Sequence, residues 1–574
     1  MRLLYYTLLI AALGTAAVDT FAQEQKKFTF TGAARSLFYA DDIDLKAEEA
    51  DTVTVPRLNS GNVMVDLGLN IRPNQNTEIL GMVRIRNDYG GFWGSGVTFD
   101  IRQLSVKGVI GGVVRYQLGD INYRMSKYTM WNYDQELMTN VPAIFRQQVD
   151  VVNYDHFYFD DHSRRQQGAA AECALVFRKY VKELQFHAMT SRVKASDFAN
   201  VSDRLFSGLN AQLIQSDHLE IGINYANLYD IPGTSRTDFS FRNPVTTFTM
   251  KVLATYKGID LSINAEAGKS RTRYENNVEA PDWNDRFLTA EFSAHHKNSG
   301  LKVSANSLFV GSGFRSPGAQ TKRIAFDGTP AAFERFTNDQ VLRAPVLLDY
   351  MRESDFYTLQ LQPYLMPFNP VYDNITPYGD ATPNRQGVIL TLGYEKKDVP
   401  VTAALTHYQL QEERGEGTLL PRKFGRNQLN IGADVNQFFN GWKKHCHVTF
   451  SMCNDRTTRG GDELVRGVDL KTDVWNAGIE LEVLNGFDLM FGIQSLQYEG
   501  FDFTAVRDLY SEIYNFVEYR AEGEEQLTSF GARYKFSEKS FISAQFTSSE
   551  NTSKVDNGIS YDINQFMLLF NMKF

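Results

Sequence analysis

Ten consecutive residues, Asn153 to His162 (NYDHFYFDDH), bring together Asp155, Asp160, Asp161, His156 and His162 among four aromatic rings. A hard divalent cation needs oxygen ligands at fixed spacing, and no EF-hand spacing is present. The segment therefore reads as an aromatic and acidic surface loop whose rings pack on a partner or on a neighbouring loop. His445 and His447 flank Cys446 without CxxC or His-rich spacing, so they read as inward polar positions near a turn. Cys173, Cys446 and Cys453 are too few for a disulfide framework. The last two would sit about 20 Å apart on one extended strand, too far to pair. GxSxG, HExxH and P-loop motifs are absent, so the expectation is no enzyme, no cofactor and no bound metal. A net charge of -9 sets nucleic acid aside as a partner.

The remaining chemistry lies in charged residues that alternate with apolar ones. Val63, Val65, Leu67, Leu69 and Ile71 share one face of an extended segment, and Asp66 takes the other side. The same alternation assigns Arg84, Arg86, Arg115, Lys251 and Arg533 to an inward face, together with Glu78, Asp260, Glu266, Glu291, Asp434, Glu480 and Glu482. Facing lipid, a charge at mid-depth costs about 2 to 4 kcal/mol, whereas a hydrated interior accommodates both signs. Such a lining either sets solute selectivity or is spent on mutual ion pairs.

The elements that must position these residues are hairpins. Strands of about ten alternating residues are joined in turn by short reversals and by long polar connections. Reversals fall at Arg72 to Asn76, Lys107 to Gly112, Lys179 to Lys182, Gln215 to His218, Lys257-Gly258, Lys297 to Gly300, Glu395 to Pro400, Asn440 to Lys444, Asn485-Gly486 and Ser537 to Lys539. With a lone first strand (Phe28 to Phe38) and a lone last one, the expected count is 22. A hairpin hidden around Ser354 to Leu361 would make it 24. Val97, Phe99 and Ile101 lose phase with Leu104 and Val106, which predicts a bulge between them. The long segments are Asp41 to Gly61, Arg124 to Gly168, Arg315 to Gln386 and Phe501 to Gln526. The third carries many prolines and aromatics, and folds either into the mouth of the structure or outside it. A mature chain near 550 residues with no linker fits one all-β domain, residues 24–574. Aromatics at 13% with a negative mean hydropathy exclude helical spans and suit an antiparallel up-and-down β-barrel.

Both ends of the chain carry a resemblance. Residues 1–23 run from Arg2 through the apolar stretch Leu3 to Val18 to Phe21-Ala22-Gln23, the pattern of a cleaved secretory signal. The last strand places Phe566, Leu568, Phe570, Met572 and Phe574 on one face and ends on an aromatic. In this the chain resembles the outer-membrane β-barrels of Gram-negative bacteria, and the signal end resembles those of the Bacteroidota. The resemblance implies an outer-membrane location with both termini in the periplasm, short turns on that side and long loops on the cell surface. It also implies a closing strand, marked by Phe566, Phe570, Met572 and Phe574, that the barrel-assembly machinery reads. Barrels of 22 strands resemble TonB-dependent transporters, but the first strand begins directly after the expected cut, which leaves no plug domain and argues against energised uptake. Two functions follow as expectations. One is a porin-like passive channel. The other is a structural subunit of a protein-assembly, export or surface-lipoprotein complex, docked through its loops. The channel reading predicts a conductance that falls when Arg84 and Arg86 are neutralised.

Overall fold

The computed structural model describes residues 27–46, 58–89, 96–131, 140–157, 166–200, 202–236, 240–276, 282–319, 343, 345–352, 357, 368–439, 441–462, 465–507, 513–555 and 558–574. The expected signal segment, 1–23, lies outside them. Twenty-two strands form a single antiparallel sheet in which each strand pairs with its neighbours in sequence. The ring closes where β1 (Phe28–Leu45) meets β22 (Tyr561–Lys573), in a register running from Ala33 opposite Lys573 to Leu45 opposite Tyr561. Gly32 and Phe574 extend that seam by exchanging backbone hydrogen bonds of 2.9 and 3.0 Å. Closure removes every sheet edge that would otherwise leave unpaired amides in lipid.

The wall is two-faced because strand side chains alternate. Thr247 is fully buried whereas the adjacent Phe248 is 63% exposed. Val63, Leu67, Val83, Leu288 and Phe566 share the outer face with Phe248, forming the apolar exterior of a transmembrane barrel. All ten expected reversals occur, and they lie at one rim. The tightest are two residues long; Lys257 and Gly258 both take positive φ, the turn geometry that matches strand twist. The Asn440 to Lys444 reversal is wider than expected, opening at 435 with a short 3-10 turn at Val435–Phe438.

β2 (Leu58–Asn74) pairs with β3 (Thr77–Asp88), and β3 pairs with β4 (Thr98–Ile110). The bulge falls where the alternation loses phase. Met82 opposes Gln103 while Val83 opposes Ile101, which leaves Arg102 unmatched. β13 (Leu301–Val310) hydrogen-bonds directly to β14 (Arg385–Glu395), so the long segment between them adds no strand to the ring and the count is 22, not 24. The hairpin considered at Ser354 to Leu361 lies, apart from Tyr357, outside the described residues.

At the opposite rim the connections are long and unequal. The expected loop Phe501 to Gln526 is instead strand for most of its length. β19 (Phe487–Arg507) and β20 (Ile513–Ser537) stay paired from Phe487 opposite Tyr534 to Arg507 opposite Ile513. A barrel strand crosses lipid in about 9 to 11 residues. Each of these strands, at 21 and 25 residues, therefore continues well beyond the bilayer as a ribbon.

Candidate functional site: the bore and its inward loops

A ring of 22 strands is too wide for wall side chains to fill, and such barrels hold a plugged or loop-narrowed lumen. Here two connections supply the filling. The first leaves β5 (Val114–Ile121), runs inward and forms helix α1 (Ala143–Val152) and a single π-turn, Asn153–Phe157, before returning to β6 (Gln166–Val176). The second joins β13 to β14 and contributes residues 314–319, helix α2 (Asp349–Arg352) and residues 368–384. The described part of the segment Asn153 to His162, residues 153–157, is therefore not a surface loop. Its Tyr154 and Asp155 lie inside the bore, the His156 side chain is not described, and residues 158–162 fall outside the described residues. The described parts of 315–386 are likewise mostly buried.

Pro142 starts α1 at its N-cap position, where its carbonyl accepts from the amides of Phe145 and Arg146 at 3.0 Å each. Ile144, Phe145, Gln147, Gln148, Val149, Val151 and Val152 are all buried, which leaves Arg146 and Asp150 as the helix's less buried side. A notch in the wall receives the start of the helix. Gly478 on β18 (Val468–Leu484) lies directly opposite Gly492 on β19. A Cβ at Gly478 would stand 2.4 Å from Cβ of Pro142, and one at Gly492 would stand 2.7 Å from Cγ2 of Ile144. Glycine inside a strand commonly marks such close approach.

Past the helix, an ion cluster fixes the π-turn to the wall. Asp66 accepts from Nε and Nη2 of Arg84 at 2.8 Å each and from the Tyr154 hydroxyl at 2.6 Å. The bulged Arg102 donates to the Tyr154 carbonyl at 2.7 Å and stacks over its ring at 3.8 Å. Asp155 pairs with Arg35 and lies 3.6 Å from Arg84. Burial, with Asp66 alongside, lifts the Tyr154 phenol above its ordinary range, so it remains a donor.

The second loop is held similarly. Asp349 pairs with Arg343 at 2.6 and 3.0 Å and also with Arg352. Thr472 donates to the Val371 carbonyl at 2.9 Å, and the Tyr372 hydroxyl reaches Glu525. The two loops touch each other: Trp131 donates to the Gly318 carbonyl at 2.9 Å, and Lys127 meets Asp380 at 2.7 Å. Tyr128 stacks on Phe287 with ring centroids 4.2 Å apart, inside an apolar cluster that includes Phe206, Phe241, Phe314 and Phe424.

The charged positions singled out from the sequence are distributed around the ring rather than gathered into one site. Arg84 and Arg86 are 5% and 2% exposed, each covered by loop residues; Arg86 donates to the Tyr357 carbonyl and pairs with Asp88, both at 2.7 Å. They are latches for the inward loops, not open pore charges. Arg115 pairs with Glu172 at 3.4 Å, Lys251 with Glu220 at 3.5 Å, and Asp260 with Lys297 at 3.0 Å. Glu266 accepts from Ser126 at 2.6 Å, and Glu291 lies between Asn264 and Asn306 on the neighbouring strands. Asp434 meets His447 at 2.7 Å, Glu480 pairs with Arg533 and Lys535, and Glu482 accepts from the His445 and Gly486 amides at 3.2 and 3.1 Å. Phe566 and Phe574 face outward, with Phe570 and Met572 half-buried beside them. Sequence reasoning missed α1, although Ile144, Phe145, Gln148, Val149 and Val152 follow helical spacing behind Pro142.

Beneath α1, toward the short-turn rim, lies a cavity of about 520 Å³ lined by Arg35, Arg146, Asp150, Glu480, Arg533 and Lys573, among others. A second, also of about 520 Å³, lies along the wall by Asn140, His295, Lys302 and Asn430.

No protein-family model matches the sequence, and no curated protein matches it. Among solved structures the chain is similar to a BenF-like porin from Pseudomonas fluorescens Pf-5, with 9% identity, a TM-score of 0.35, and coverage of 96% of this chain and 99% of that one. It is also similar to OccK3 (OpdO) of Pseudomonas aeruginosa, with 9% identity, a TM-score of 0.34, and coverage of 95% and 96%. The FrpB iron transporter of Neisseria meningitidis gives 10% identity, a TM-score of 0.45, and coverage of 95% and 81%. At such identities and scores function has to be read from this barrel's own wall and loops, and those describe a closed 22-stranded transmembrane β-barrel whose bore is narrowed from within.

Proposed function

We propose that the protein is a porin-like passive channel of the outer membrane, with its short turns and both termini in the periplasm. The observation that carries this reading is the construction of the bore. A polar, ion-paired inner wall surrounds two inward loops, and cavities remain between loop and wall. Solutes pass around the loops, which act as the constriction. The closing strand, with Phe566, Phe570, Met572 and Phe574 toward lipid, is what the barrel-assembly machinery reads during insertion. Purified protein in planar bilayers should give small single-channel steps, and a variant lacking residues 143–157 should give larger ones. Silence of both over a wide voltage range would refute the channel.

One feature favours the second reading, a structural subunit of an outer-membrane assembly, export or surface-lipoprotein complex. The β19–β20 ribbon stands beyond the bilayer with Phe501, Tyr514 and Val517 exposed. With the described residues of the β13–β14 connection mostly buried in the bore, this ribbon is the better docking surface. Partners that co-purify in mild detergent and are lost when 502–520 is shortened would support this role. Release as a lone monomer from the native membrane would count against it.

A further inference from the structure

We infer that the seam between α1 and the wall of β21 (Ser540–Ser553), β22, β1 and β2 is the permeation track, shut in this structure, and that it takes neutral solutes bearing hydroxyl or amide groups. The inference rests on the channel reading above. Under the inward loops the wall presents Ser543, Gln545 and Ser549 on β21, Gln565 on β22 and Asn62 on β2, none more than 2% exposed. Neither polar atom of the Gln545 amide has a hydrogen-bond partner, and the same holds for Asn62 and for Oγ of Ser549. A buried polar group left unbonded costs about 1 to 3 kcal/mol. Several of them in one wall sector make a poor permanent core but a serviceable lining for water and solute.

The polar contacts of α1 on that sector are correspondingly weak, whereas its Val149, Val151 and Val152 pack on Leu37 and Tyr39 of β1 and on Met567 and Leu569 of β22. Gln147 accepts from Ser543 at 2.5 Å but directs its amide N–H at the thioether of Met490, 3.2 Å away. Gln148 shares its N–H groups between Gln565, at 2.7 Å, and the Met351 sulfur, at 3.6 Å. Thioethers are poor acceptors. On the far side of the bore, residues 126–131 and 314–319 rest on the apolar cluster around Phe287 instead. Of the two footings, α1's is the one that sets buried amides against thioethers, and lifting it also parts Val149, Val151 and Val152 from the wall while the π-turn stays latched. The cavity beneath it shares Gln147 and is bounded by Phe541 and Leu569, the inward neighbours of Ser543 on its own and the adjoining strand, so the track continues to the short-turn rim. Amides and hydroxyls both donate and accept, which matches a hydroxylated solute. Ser543, Gln545, Ser549, Gln565 and Asn62 bear no formal charge; on the same inward faces of β1 and β2 Arg35 and Asp66 are paired with Asp155 and Arg84, and Asp41 borders the strip where β1 meets Gln565.

The test joins α1 to the wall. In a C173S background, Gln147→Cys and Ser543→Cys are bridged by a short bis-methanethiosulfonate, each thiolate displacing methanesulfinate to form a reducible disulfide, and swelling of proteoliposomes is followed in arabinose and in the anion galacturonate. With the bridge closed, arabinose uptake should fall to that of protein-free vesicles and return on reduction. Equal uptake in both states would overturn the track while leaving the channel standing. No solute uptake and no ion conductance in either state would overturn the channel reading and the track with it. In the unbridged protein, Asn62→Ala with Gln545→Ala should slow arabinose severalfold relative to galacturonate; an equal effect on both would overturn the solute class. A heat-dependent gel shift identical to that of the parent protein verifies that each variant is a folded barrel.

Discussion

Substituting Gly478 by alanine should lift α1 without opening the barrel. The added Cβ would stand 2.4 Å from Cβ and 2.9 Å from Cγ of Pro142, whereas ordinary contact begins near 3.4 Å, so loop or wall must give by about 1 Å. Pro142 cannot rotate away as a flexible side chain can, and Gly478 keeps its place opposite Thr449 and Gly492 in the ladder. The loop therefore moves. Overpacking of this kind costs about 1 to 3 kcal/mol, and at 1.4 kcal/mol per factor of ten the docked fraction drops roughly 5- to 150-fold. Two assays read the result. Proteolysis within 143–157 should accelerate by that factor, and mean conductance should rise, while the heat-dependent gel shift of the folded barrel stays unchanged. Unaltered proteolysis and conductance would refute the notch as the seat of α1. Loss of the folded barrel would instead mean that the strain falls on the wall.

Asp66→Asn should undock the π-turn, because Arg84, Arg102 and Tyr154 all direct donors at that carboxylate. Stranding buried guanidinium groups costs about 3 to 5 kcal/mol, read as accelerated cleavage near Tyr154, and parental cleavage kinetics would exclude the cluster as a latch. Leu568→Arg tests the outer face: Leu568 is exposed toward lipid, and an arginine near mid-depth should lower folding stability in vesicles by about 2 to 4 kcal/mol, seen as an earlier denaturant midpoint. An unchanged midpoint would mean that this face does not meet hydrocarbon.

Sequence alone determined the wall. The period-2 alternation and ten turn signals specify strands, their reversals and which side chains share a face, because each of these is a local property of a few consecutive residues. The lost phase between Ile101 and Leu104 even located the bulge that frees Arg102. What occupies the bore is decided by contacts between residues hundreds of positions apart. Gln147 meets Ser543, Gln148 meets Gln565, and Pro142 fits a notch made by Gly478 and Gly492. Local periodicity carries no information about such encounters. In sequence, Arg84 and Arg86 read equally as selectivity charges or as members of mutual ion pairs. Only closure of the ring, which places them under Asp155 and Tyr357, turns them into latches.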